Sequence, residues 1–69
     1  MDADEEEKRF SYHAPKGDQP LKYEELRKRG RMLAQRIDAL CPESREKALA
    51  MTKLEEAIMW ANAAIARRE

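Results

Sequence analysis

Cys41-Pro42-Glu43-Ser44 separates two apolar patterns of helical period, and that interruption decides the fold. The residue before a proline is pushed out of the α region, so a helix arriving from the N-terminal side ends by Cys41. Ser44 suits the cap of a helix leaving on the other side. Upstream, Tyr23, Leu26, Gly30, Leu33, Ile37 and Leu40 recur at heptad spacing, the pattern of a helix packed against another helix. Downstream, Met51, Leu54, Ile58, Ala61 and Ile65 repeat it. The reading is all-α: an antiparallel helical hairpin with a short N-terminal segment.

The first helix is expected to start near Pro20, because proline fits the first helical position, with Asp18 as the better cap. Glu24 with Lys28 and Glu25 with Arg29 are i,i+4 pairs in the favourable order. Gly30 costs helix stability and marks a close backbone approach. The second helix is expected to run from Pro42–Ser44 to Arg67. Between Ala57 and Ala66 only Asn62 is polar, so this helix is apolar on more than one face. One hairpin partner covers one face. The remainder, Trp60 included, predicts self-association into a symmetric homo-oligomer. Length supports this, since a 69-residue chain has little core and usually needs a staple. A single cysteine, Cys41, and a single histidine, His13, supply neither an intramolecular disulfide nor a four-ligand zinc site.

Residues 1–9 read as an acidic, weakly ordered lead, and residues 10–69 as the hairpin domain. The formal net charge is zero, but its distribution is uneven. Residues 1–7 carry five acids and no base, whereas residues 8–31 carry eight bases against three acids. The basic middle is a candidate anion-binding surface or a solvated helix face. No apolar stretch is long enough for a membrane span, and the acidic start lacks a secretory signal's basic region.

Phe10 to Pro20 is broken by Pro15, Gly17 and Pro20, yet it holds Phe10, Tyr12 and His13. A plain linker would be glycine, serine and charge. Phe10 and Tyr12 either pin this loop to the helices or stack on a ligand. Nucleotide recognition needs a flat ring for the base and a cation for the phosphate. Tyr12 and His13 are candidates for the first role. Lys16, Arg27, Arg29 and Arg31 are candidates for the second, and Arg27 and Arg31 share a helix face at i,i+4. Arg67 and Arg68 close the second helix, where they complement its dipole or converge on an anion at a symmetry axis.

Catalysis is not expected. Ser11 and His13 lack a third group to complete a triad, and the adjacent acids Glu24–Glu25 and Glu55–Glu56 diverge around their helices. No metal or other cofactor is implied. Two further readings are a nucleic-acid-binding hairpin using the Arg27–Arg31 face and a structural interaction module. Zero net charge argues against the first.

Three segments carry a resemblance to a known family. They are Phe10 to Pro20, Cys41 to Lys47, and Thr52 to Arg67, most specifically Lys53-Leu54-Glu55-Glu56-Ala57-Ile58-Met59-Trp60-Ala61-Asn62. These resemble the Acb/Tad hairpin family, and within it the second type of phage anti-CBASS protein, over residues 10–67 with the acidic lead outside. The resemblance implies hexamers built as pairs of trimers. It implies sponges that bind cyclic dinucleotides between two protomers and cyclic trinucleotides near three-fold axes, without cleaving them. Such sequestration blocks CBASS antiphage signalling in the cytoplasm of the infected bacterium. Carried over, Tyr12 stacks on a base of a cyclic dinucleotide and Arg27 meets its phosphates, with His13, Lys16 and Arg31 added by proximity and charge. Asn62 and Arg67 are assigned to the cyclic trinucleotide. Relatives can carry lysine at the position of Arg27, which leaves base preference open. No membrane or DNA partner is implied.

Overall fold

The computed structural model describes residues 1–69 as three helices and no strand: α1 (Ala3–Phe10), α2 (Gln19–Leu40) and α3 (Arg45–Arg68). The all-α hairpin read from the sequence is the architecture observed. The molecule is flat and elongated, 46 × 28 × 13 Å. None of its helices is long and apolar enough to cross a membrane.

The acidic lead forms a helix. The Asp2 side chain caps it by accepting from the Glu5 N–H at 2.8 Å. Asp4, Glu5 and Glu6 occupy the first turn and Lys8 and Arg9 the last, which is the charge order that complements a helix dipole. The lead read as weakly ordered is thus helical over Ala3–Phe10. A helix this short is marginal alone, but here α1 docks on α3.

Gly17 is the one residue with a positive φ, 58°, and it turns the chain into α2. Asp18 sits at the cap position without a side-chain capping bond. Its backbone carbonyl instead accepts from Leu21 and Lys22. Pro20 lies in the first turn, as the sequence suggested. At the other end Cys41 is extended before Pro42, and the Ser44 hydroxyl accepts from the Lys47 N–H at 3.1 Å to start α3.

The α2–α3 seam departs from the heptad reading in one half. On α3, Met51, Leu54, Ile58, Ala61 and Ile65 are all partly buried, as read. On α2, the covered positions are Tyr23, Leu26, Gly30, Ala34 and Ile37, whereas Leu33 is 50% and Leu40 69% exposed. Small residues explain the difference. Ile58 lies so close to Gly30 that a Cβ there would sit 2.9 Å from Ile58 Cγ1. The helices come close at Gly30, and one turn on it is Ala34, not Leu33, that is covered.

Polar groups fasten the two ends. At the turn, the covered Lys47 ammonium donates to the Asp38 carbonyl and the Glu43 carboxylate, with Asp38 also at 3.0 Å. At the open end, buried Gln19 donates to the Ile65 carbonyl and to Glu69, while Lys22 pairs with Glu69. No hydrophobic side chain is fully buried anywhere in the chain.

Candidate functional site

Two grooves hold most of the residues that the sequence singled out, whereas Arg29 lies apart from both, beside Lys22, Glu25 and Ile65. The first, of about 700 Å3, lies between α2 and α3. Arg27, Lys28 and Arg31 line it from α2, and Glu55, Ile58, Met59 and Asn62 line it from α3. Helical periodicity puts Arg27 and Arg31 on one face, four residues apart. Neither makes an ion pair within the chain, and neither does Lys28. The expected Glu24–Lys28 and Glu25–Arg29 pairs are not formed, so their cations point elsewhere. Beside these cations the Asn62 carboxamide oxygen is buried and has no hydrogen-bond partner. A buried acceptor left unpaired is costly.

The second groove, of about 490 Å3, lies where α1, the loop and the end of α3 meet. Tyr12, His13 and Lys16 line it together with Lys8, Asp4, Glu7 and Arg67. The Tyr12 ring is 87% exposed and Phe10 77% exposed, so neither pins the loop to the helices. His13 is partly buried and its Nε2 lies 2.9 Å from the Lys8 carbonyl. A carbonyl only accepts, so Nε2 carries the proton, and Nδ1 is left as the acceptor in the neutral ring. Arg67 is partly buried and makes no ion pair. Its neighbour Arg68 holds Glu5 through two bonds of 2.7 and 2.9 Å. Arg68, with Arg9 as a second donor, keeps the Glu5 carboxyl at about 2.

Within one chain, then, the expected dinucleotide residues divide. Tyr12, His13 and Lys16 share one groove, and Arg27 and Arg31 share the other. Asn62 and Arg67, grouped by resemblance, also separate. They are five residues apart on α3, about 140° around the helix, and they line different grooves. Sequence reasoning missed Lys28 and the Glu5–Arg68 clasp. Lys28 could have been found from its place beside Arg27. The clasp joins residues 63 apart and leaves no local signal.

No three or more histidine, cysteine, aspartate or glutamate side chains are grouped to hold a metal ion. What the geometry offers is binding chemistry: unpaired guanidinium groups, an exposed ring, and an orphaned amide acceptor.

The fold defines the class: a small helical hairpin with cations and an exposed ring along its grooves. The family model for the Acb2/Tad1 hairpin domain matches residues 2–66, and the chain belongs to that family of anti-CBASS sponges, which sequester cyclic nucleotides and are not enzymes. The match includes most of the acidic lead that the sequence reading left outside the family. No curated protein and no solved structure gives a significant match.

Proposed function

We propose that this chain assembles as a homo-oligomer, a hexamer by its family, that sequesters intact cyclic dinucleotides and, at separate sites, cyclic trinucleotides. It acts in the cytoplasm of the infected bacterium and performs no chemistry on the signal. The observation that carries this reading is the division of the site. The stacking ring and the unpaired Arg27–Arg31 pair lie in different grooves of one chain, while a two-fold ligand with two bases and two phosphates needs both. Two hairpins that meet across an axis supply each part twice. Tyr12 stacks on a base, with His13 and Lys16 at its side. Arg27 and Arg31 hold the phosphates, which guanidinium groups can grip bidentately. Arg67 and Asn62 serve the trinucleotide, and Asn62 accepts from a base or ribose donor.

Native mass spectrometry with and without cyclic dinucleotides and trinucleotides tests the whole reading, since it reports subunit count and ligand stoichiometry together. Ligand is expected to be recovered unchanged after denaturation. Tyr12→Ala is expected to weaken dinucleotide binding about 5- to 150-fold, the range of one lost stack, with the oligomer intact. Arg67→Ala is expected to weaken trinucleotide binding more than dinucleotide binding. A protein that binds neither ligand class by calorimetry would falsify the proposal.

A further inference from the structure

We propose that Glu5 and Arg68 are positioning residues: their clasp holds the Tyr12 ring where it can stack. This inference rests on the sponge reading and concerns how one part of that site is kept in place.

The loop from Ser11 to Asp18 has no regular secondary structure, yet both of its ends are tied to the last turn of α3. On the C-terminal side, Gln19 donates to the Ile65 carbonyl and to Glu69, and its own amide oxygen accepts from the Lys16 N–H at 3.2 Å. On the N-terminal side the tie runs through α1. Glu5 accepts two bonds from Arg68, and His13 bonds back to the Lys8 carbonyl. Tyr12 sits between these ties with 87% of its surface free.

No apolar burial holds α1 in place. None of its residues is buried, Phe10 at its end is 77% exposed, and its only helix partner is α3. The Glu5–Arg68 pair is its side-chain hydrogen-bonded link to α3. An isolated surface ion pair usually contributes little, but a bidentate guanidinium–carboxylate pair is the recognised exception. Arg9 adds a third donor to the same carboxylate, at 3.1 Å. A ring held before the ligand arrives loses less freedom on binding than one on a loose loop, so a rigid anchor raises affinity without touching the ligand.

Glu5→Gln removes the charge with little change of shape, and Arg68→Gln removes the guanidinium fork. In each, loop and α1 amides are expected to exchange hydrogen faster, and cyclic dinucleotide affinity is expected to fall about three- to tenfold; subunit number is expected to stay unchanged in Glu5→Gln, since Glu5, unlike Arg68, does not border the Trp60 hollow. In a Tyr12→Ala background Glu5→Gln is expected to add a smaller further loss, because the ring is gone and only His13 and Lys16 remain on the loop that the clasp holds. The inference is overturned if wild-type protein binds while Glu5→Gln binds equally well, or if Glu5→Gln costs as much affinity without Tyr12 as with it. Wild-type protein that binds no cyclic dinucleotide overturns the sponge reading itself, and this inference with it.

Discussion

Gly30 and Ile58 set how near the two long helices come, and the pair shows how a single missing methyl shapes the site. A Cβ at position 30 would meet Ile58 Cγ1 at 2.9 Å and Cδ1 at 3.0 Å. An alanine there regains about 0.8–1.0 kcal/mol of helix propensity, roughly what a small side-chain shift of Ile58 costs. A valine brings two more methyls into the same gap with no comparable gain. Gly30→Val is therefore expected to destabilise the protein by about 1–3 kcal/mol, measured as a lower midpoint in urea. The same substitution pushes α2 away from α3 along the first groove, which Gly30 lines beside Arg27 and Arg31, so phosphate binding is expected to weaken with it. A cap offers a contrasting residue-scale test away from the grooves. Ser44→Ala removes the acceptor for the Lys47 N–H and is expected to cost about 1 kcal/mol in the same measurement.

At the scale of elements, what could be read in the sequence depended on whether the cause was local. Pro20, Pro42 and Ser44 act on their own neighbours, and the ends of α2 and the start of α3 fall where they direct. The α3 stripe from Met51 to Ile65 was readable for the same reason. The α2 stripe was readable only in part, because choosing Ala34 over Leu33 depends on how closely another helix approaches. The helical state of α1 had local signals in Asp2 and the charge order, but its docking depends on Arg68 at the far end of the chain. Of the candidate site, the cation and ring types were visible, and their division between two grooves was not. The docking of α1 has a pH dependence with a definite sign. Bonds from Arg68 and Arg9 lower the Glu5 carboxyl from 4.5 to about 2. A carboxyl depressed on folding stabilises the docked state above its unfolded value, and that contribution is lost as pH falls through the folded one. The protection of the residue 3–10 amides, taken relative to their intrinsic exchange rates at each pH, is expected to fall between about pH 4.5 and 2. Glu5→Gln is expected to show the lower protection already at neutral pH.

Across the whole molecule, the governing fact is a seam with no fully buried hydrophobic residue beneath surfaces that remain apolar. Met59 and Trp60 are 60% and 65% exposed near the C-terminal half of α3, and Leu33, Leu40 and Leu49 are also open. Trp60, Ala63 and Ala64 border a shallow hollow with Arg67 and Arg68, so the apolar face continues into the cations that close the helix. In the proposed homo-oligomer this exposed apolar surface is the interface, and burying it would give so short a chain the core it lacks. Trp60 is the only tryptophan, so its fluorescence reports on this face alone. In wild-type protein at micromolar concentration its emission is expected to be blue-shifted, and to move to the red on dilution as subunits separate. Trp60→Glu places a charge in the face that the proposed assembly buries and is expected to lower the sedimentation coefficient toward that of a single chain. Because Tyr12 and Arg27 occupy different grooves of each chain, the same variant is expected to lose cyclic dinucleotide binding although it alters neither residue. A monomeric Trp60→Glu protein that still binds the ligand with wild-type affinity would show that one hairpin suffices, and would remove the reason for assembly that the divided site provides.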